Sequence, residues 1–294
     1  MVGEMYNEEE GFIEINGVQI YYKKVGKGKD VILTLHGGPG ASHDYLLPLK
    51  KLANNKYTII FYDQCGCGRS GEPKDLSKCT NIQYYVEEVE EVRKKLAKDK
   101  VILLGHSWGG LLALAYAVKY QNNLKALIVS SGLSSVPLTV KEMRRLINQL
   151  PKEIRDEIYD CEKKNDFSSE KCKKAVEEFY KRHLLRLDVY PEEVQKSLDY
   201  LSKRKIYMIM NGPTEFEITG TIKDIDITND IKNINIPTLI IVGEFDEVTP
   251  EVAKVINENI KGSKLVIIPN SSHMNFYENP EYYFNEVKKF INNL

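Results

Sequence analysis

The 294-residue sequence lacks long apolar runs, an excess of one charge and a regular set of cysteines. No stretch approaches the ~18 apolar residues of a membrane helix, so we expect no membrane interaction. The 41 basic and 42 acidic residues leave a formal net charge of -1, which argues against a nucleic-acid partner. The acidic start, MVGEMYNEEE, has neither the basic nor the apolar segment of a signal peptide, and we expect a cytoplasmic protein.

The five cysteines form neither a disulfide framework nor a zinc site by their spacing. Cys65 and Cys67 lack the second pair, or the nearby histidines, that would complete four zinc ligands. We therefore interpret Cys65, Cys67, Cys79, Cys161 and Cys172 as buried or partly buried free thiols. One alternative stays open, because Cys161 and Cys172 lie in neighbouring helical stretches and could pair in a protein from a hyperthermophile.

Short apolar runs alternate with longer helical patterns along most of the chain. Two segments with alternating polarity flank Asn16-Gly17 and predict a β-hairpin. Compact apolar runs predict strands that are covered on both faces, at 31–35, 57–63, 101–105, 124–132, 237–244 and 263–270. Helical patterns lie between or after them, at 81–98, 108–121, 249–260 and 280–293. This alternation is typical of an α/β domain with a mostly parallel central sheet flanked by helices.

The alternation stops between residues 133 and 230. This block carries four helical patterns with charged faces, several of which begin near a proline, and no strand of the parallel type. We therefore predict a helical cap domain at 133–230, inserted into a core domain made of 1–132 and 231–294. His183 falls on a charged helix of this cap, and we expect its side chain to lie in solvent.

The stretch Gly105-His106-Ser107-Trp108-Gly109 fits the pattern G-x-S-x-G between a predicted strand and a predicted helix. Alone, it also fits a serine that caps a helix. A serine nucleophile needs a base and an acid, which in this type of fold follow it along the chain beyond later strands. Asp246 follows the strand at 237–244 and His273 follows the strand at 263–270. We therefore predict a catalytic triad of Ser107, His273 and Asp246.

Two backbone N–H groups are expected to stabilise the oxyanion that such a serine generates. One belongs to Trp108, directly after the nucleophile. The other is assigned to Gly38, in the stretch HGGPG (36–40) beyond the strand at 31–35, where glycines allow close approach to a substrate. A third glycine-rich loop, YDQCGCGRSG (62–71), is given a structural role, with Asp63 and Arg69 holding it by polar contacts.

Taken together, HGGPG, DQCGCGRS, GHSWGG, GEFDEVTP and the late His273 resemble the proline iminopeptidases, the prolyl aminopeptidases of serine peptidase family S33 in the α/β-hydrolase superfamily. The segment NGPTEFEITGTIKDID (211–226) is similar in particular to the archaeal tricorn-interacting aminopeptidases. The resemblance implies an α/β-hydrolase fold, no metal or cofactor, and a functional association with a large cytosolic protease complex. It also implies that Glu215 and Glu247 bind the free α-ammonium of the substrate.

The sequence thus predicts a serine exopeptidase that releases an N-terminal residue, with proline preferred or accepted, from short peptides through an acyl-enzyme. A carboxylesterase or a C–C-bond hydrolase on the same fold is an alternative, since it needs the triad but not the glutamate pair. A non-catalytic ligand receptor that retains the pocket is an alternative of another class, which the intact triad disfavours.

Overall fold

The computed structural model describes residues 7–294, which contain one eight-stranded sheet. The strands are β1 (Glu8–Ile15), β2 (Val18–Val25), β3 (Asp30–Leu35), β4 (Tyr57–Tyr62), β5 (Val101–His106), β6 (Leu124–Ser130), β7 (Thr238–Gly243) and β8 (Lys264–Ile268). Their order across the sheet is β1-β2-β4-β3-β5-β6-β7-β8. β2 is antiparallel to β1 and to β4, and all other pairs are parallel. The mostly parallel sheet predicted from the apolar runs is confirmed, and Asn16-Gly17 forms the hairpin turn with both φ angles positive.

Helices cover both faces of this sheet. Within residues 7–294 the α-helices are α1 (Ile82–Leu96), α2 (Trp108–Tyr120), α3 (Val136–Asn148), α4 (Lys152–Lys164), α5 (Glu170–His183), α6 (Glu192–Lys203), α7 (Lys205–Met210), α8 (Pro250–Asn259), α9 (Asn275–Glu278) and α10 (Pro280–Ile291). Successive side chains of a strand point to opposite faces of the sheet. On β3, Leu33 therefore packs in the apolar layer that α1, α2 and α8 cover, whereas Ile32 packs in the layer that α10 covers. A 3-10 helix at His43–Leu52 completes the second layer.

The chain leaves the sheet after β6 and forms α3 to α7 before it returns as β7. Ser135 and Asp226, near the two ends of this excursion, form an isolated antiparallel bridge. On α6, the Ser197 hydroxyl accepts from Ser42 N and donates to Ser42 O, which fixes α6 beside the 3-10 helix. The division into a core and a cap at residues 133 and 230 stays a prediction.

One expectation about the cysteines is wrong. Cys161 on α4 and Cys172 on α5 are joined by a disulfide, with Cα atoms 6.0 Å apart, so the interpretation of these two as free thiols is wrong. The short connection between α4 and α5 lets these helices pack together and brings the two cysteines within the reach of a disulfide. Cys65, Cys67 and Cys79 are buried free thiols, as expected.

The helices of the described chain, residues 7–294, include none with the length and apolarity needed to cross a bilayer. The first six residues of the acidic N-terminal stretch, on which the signal-peptide interpretation partly depends, lie outside the described residues.

Candidate active site

The predicted site residues lie beyond the carboxyl ends of four parallel strands. HGGPG follows β3, Ser107 follows β5, Asp246 follows β7 and His273 follows β8. β3 pairs with both β4 and β5, so the chain order reverses at this point of the sheet. Ligands of open α/β sheets bind at such reversals, at the carboxyl edge. The topology therefore gathers these loops at the place where a ligand site is expected.

Ser107 sits on a sharp turn between β5 and α2. Its φ of 57° is unusual for a residue with a side chain, and the turn depends on glycines on both sides. A Cβ at Gly105 would lie 1.9 Å from Gly109 O, and a Cβ at Gly109 would lie 2.1 Å from Leu35 O. The G-x-S-x-G spacing thus follows from backbone contacts that leave no space for a methyl group. The turn also sets Ser107 at the N-terminus of α2, where the helix dipole favours negative charge.

Asp246 and His273 are in direct contact. His273 Nδ1 lies 2.7 Å from Asp246 Oδ1, and both side chains are buried. Val248 N also donates to Asp246 Oδ1, at 2.9 Å, which fixes the carboxylate. Gly243 allows the loop before His273 to pass close to the end of β7, since a Cβ there would lie 2.2 Å from Ser272 O. The pair has the arrangement of an acid that orients a base.

Ser107 and His273 face one cavity without a hydrogen bond between their side chains in the described chain. Hydrogen bonds between a nucleophile and its base are often long in a protein without substrate and tighten when substrate binds. Two cavities meet at Ser107, Gly38 and Glu215. We call the first, of about 470 Å³, the α6 cavity; its distinguishing walls are Leu184, Val194, Leu198, Leu201 and His273. We call the second, of about 380 Å³, the glutamate cavity; it is lined by Glu247, Trp108, Leu133, Val136, Met143 and Ile222, among others.

The two amides predicted to bind an oxyanion are Gly38 N and Trp108 N, and neither donates to a protein acceptor within residues 7–294. One residue that the sequence analysis did not select, Gln64, connects their two loops. Its side-chain amide donates to His36 O, and its Oε1 accepts from Trp108 Nε1 at 2.9 Å. Asp63 and Arg69 hold the 62–71 loop by polar contacts, as expected. The loop therefore connects the two segments that carry the predicted oxyanion donors.

A second network, also missed by the sequence analysis, passes behind Ser107. Tyr45 Oη accepts from Gly37 N at 2.7 Å and lies 2.9 Å from His106 Nδ1. His106 Nε2 lies 2.9 Å from His273 O, a carbonyl that can only accept. Nε2 therefore carries the proton and Nδ1 accepts from the Tyr45 hydroxyl. Burial and the neighbouring His273 lower the pKa of His106, which keeps this ring neutral.

Glu215 and Glu247 both reach the glutamate cavity, although they lie on different parts of the chain. Glu247 is almost fully buried, its Oε1 lies 3.7 Å from His273 Nε2, and its Oε2 has no hydrogen-bond partner in the described chain. Glu215 is half-buried, and its Oε1 accepts from Tyr207 Oη at 2.8 Å. Burial raises the pKa of both carboxyls, because the charged form loses its hydration. The Oε2 atom of Glu247 is therefore available to a hydrogen-bond donor that enters this cavity.

The charge on His273 is linked to these carboxylates. Burial alone would favour the neutral ring, but the charges of Asp246, Glu247 and Glu215 outweigh it and raise the pKa of His273 to about 9. His273 and Glu247 therefore titrate as a pair: when Glu247 is charged, His273 holds its proton, and when Glu247 is neutral, the ring loses it more readily. A cation that binds Glu247 weakens this effect and favours the neutral ring that a base requires.

His183 does not lie in solvent, so this expectation is wrong. It is half-buried at the end of α5, and its Nδ1 donates to Phe245 O at 2.8 Å. Its backbone carbonyl accepts from Glu247 N and from His273 N, both at 3.1 Å. A charged helix face predicts exposure for the helix as a whole, but His183 is the last residue of α5, where the chain turns into the site. A residue between β6 and β7 thus holds two site loops.

Known proteins match this chain over nearly its whole length. A family model described as the alpha/beta hydrolase fold matches residues 30–280. A proline iminopeptidase of Saccharolobus solfataricus is 53% identical over 99% of this chain and 94% of its own length. One of Thermoplasma volcanium is 52% identical over 96% of both chains. The crystal structure of a proline iminopeptidase of Mycobacterium smegmatis has a TM-score of 0.91 at 28% identity and covers 97% of this chain and 98% of its own.

Proposed function

The chain belongs to the proline iminopeptidases, serine exopeptidases on the alpha/beta hydrolase fold, and we propose that Ser107, His273 and Asp246 carry out its reaction. It is a hydrolase of the prolyl aminopeptidase type, with peptides as substrates. The proposal concerns which residues act and how each contributes. It rests on the convergence of the four strand-end loops at two adjoining cavities, which share Ser107 and Gly38.

The reaction begins when Ser107 Oγ attacks the carbonyl carbon of the first residue and His273 Nε2 takes the hydroxyl proton. Asp246, bound to Nδ1, holds the ring and stabilises its positive charge. The carbonyl oxygen becomes an oxyanion, which accepts from Gly38 N and Trp108 N. The C–N bond then breaks, and His273 returns the proton to the leaving amine. Water hydrolyses the acyl-enzyme by the same steps and releases the first residue.

The observation that carries the exopeptidase assignment is the buried Glu247 carboxylate beside Glu215, in a cavity that reaches Ser107. One oxygen of Glu247 has no hydrogen-bond partner within residues 7–294. A free N-terminus is an ammonium group with three donors, and it offers both carboxylates charge-assisted hydrogen bonds. An esterase has no need to keep two carboxylates in this position, since its substrates bring no cation. The pair therefore supports recognition of a free N-terminus at Glu215 and Glu247.

The proposal extends to the setting of the reaction. We propose proline as the preferred or accepted first residue of short peptides, and a cytoplasmic location in which a large protease complex supplies those peptides. We also propose that residues 133–230 form a cap domain on a core of 1–132 and 231–294, because Glu215 reaches the glutamate cavity from this insert.

A substrate panel tests the assignment. We expect the enzyme to hydrolyse aminoacyl arylamides with a free amine, and Ser107→Ala to abolish this hydrolysis. p-Nitrophenyl esters of simple acids serve as the comparison, since they need the triad but carry no ammonium group. Full activity of Ser107→Ala would contradict the triad, and a wild-type enzyme that cleaves only the esters would contradict the exopeptidase assignment.

A further inference from the structure

The α6 cavity is the part of the site that the reaction as described leaves without a ligand. We propose that it binds the side chain of the substrate's second residue, the first residue of the leaving peptide, and that it favours an apolar side chain there. This inference rests on the proposed function, because it assumes that Ser107 cleaves after the first residue.

The positions of the two glutamates and of His273 assign each cavity to one half of the substrate. The ammonium of the first residue belongs beside Glu215 and Glu247, and only the glutamate cavity is lined by both. The leaving nitrogen must lie beside His273, which protonates it, and His273 lines only the α6 cavity. Since the two cavities meet at Ser107 and Gly38, a peptide whose scissile bond lies there extends from one into the other. The leaving side therefore enters the α6 cavity.

The walls of the α6 cavity are chemically suited to an apolar side chain. Leucine, valine, methionine and alanine side chains supply most of the surface: Ala41, Leu184, Val194, Leu198, Leu201 and Met274. Its polar wall groups are largely paired within the protein. Tyr45 Oη binds Gly37 N and His106, while Ser197 Oγ binds the backbone of Ser42. An acidic side chain would lose its hydration there and would face the carboxyl group of Glu215.

The α6 cavity also offers a side chain an apolar wall for burial, because Val194, Leu198 and Leu201 line it from one helix. Burial of a leucine side chain is expected to raise kcat/KM about 10- to 100-fold over glycine, provided that the side chain is covered in the transition state. A peptide with glutamate in the same position is expected to have a kcat/KM at least 10-fold below that of the leucine peptide, because its carboxylate faces Glu215 as well as the apolar wall.

Three peptides that differ only in the second residue provide the test: Pro-Leu-Gly, Pro-Gly-Gly and Pro-Glu-Gly. The measured quantity is kcat/KM for release of free proline. On α6, Leu198 is half-buried, so Leu198→Lys would place an ammonium at the cavity. We expect this variant to reduce the preference for leucine over glutamate by tenfold or more. Leu198→Ala, the milder change, is expected to reduce the preference for leucine over glycine.

Leu187→Lys is the matched control, because Leu187 is also half-buried against the same apolar layer but does not line the cavity. We expect it to leave both preferences as in the wild type, and circular dichroism verifies the fold of each variant. Equal kcat/KM for the three peptides in the wild type would overturn the inference and leave the proposed function intact. Unchanged preferences in both Leu198 variants would also overturn it. If the wild type releases proline from none of the peptides, the proposed function itself fails.

Discussion

Replacement of Glu247 by glutamine is the most direct test of how the enzyme recognises a free N-terminus. Glu247→Gln preserves the shape of the side chain and removes its charge. The buried Oε2 of Glu247 has no donor in the described chain, so a substrate ammonium gains a full charge-assisted bond there. Such a bond contributes about 1.5–3 kcal/mol. At 1.36 kcal/mol for each factor of ten, the variant should lose about 10- to 150-fold in kcat/KM.

The assay compares two alanine substrates. One is alanine p-nitroanilide, which carries the free amine, and the other is N-acetylalanine p-nitrophenyl ester, which does not. We expect the loss for the anilide only. Glu215→Gln should show the same selectivity with a smaller loss, since one of its oxygens already accepts from Tyr207.

Glu88→Gln is the control for replacement of any buried carboxyl group. Glu88 lies on α1, is fully buried, and accepts from Cys65 N, a bond that a glutamine oxygen preserves. We expect no change with either substrate. An equal loss on both substrates in Glu247→Gln would refute the reasoning, because it would indicate a role in the chemistry common to both rather than in ammonium binding.

Two further predictions concern pH and stability. The negative charge of Glu247 raises the pKa of His273, and the base acts in its neutral form. Glu247→Gln should therefore move the acid limb of the pH profile of kcat/KM for the acetylated ester to lower pH. An acid limb at the same pH as in the wild type would contradict the electrostatic effect of Glu247 on His273. The Cys161–Cys172 disulfide closes a short loop, with a sequence separation of 11, and its removal in the double serine variant should cost about 3 kcal/mol of unfolding free energy in urea titration. Arylamide kcat/KM should stay the same, and equal urea midpoints would contradict the stabilising role.

Much of the fold is predictable from the sequence because its elements leave strong local patterns. The strands of the parallel sheet are short and covered on both faces, so each is a compact apolar run, as in VILLGH at β5. The glycines around Ser107 are equally informative, because contacts under 2.2 Å exclude any other residue at Gly105 and Gly109. A close backbone contact of this kind requires glycine, so it can be recognised in the sequence.

The supporting contacts were harder to predict, because they depend on which loops meet in three dimensions. Gln64, Tyr45 and His106 act through hydrogen bonds between segments far apart in sequence. No local sequence pattern predicts these hydrogen bonds. Polarity was misleading at His183, where a charged helix ends inside the site. The pairing of Cys161 with Cys172 likewise depends on how α4 packs on α5, which the spacing alone left open.

The backbone carbonyl of His183, shared by Glu247 N and His273 N, has a consequence for how the enzyme matures. Until α5 has docked, Glu247 N and His273 N lack this acceptor. The position of α5 thus affects the proposed base and the proposed ammonium-binding carboxylate at the same time, so a change in the packing of α5 should alter rate and selectivity together.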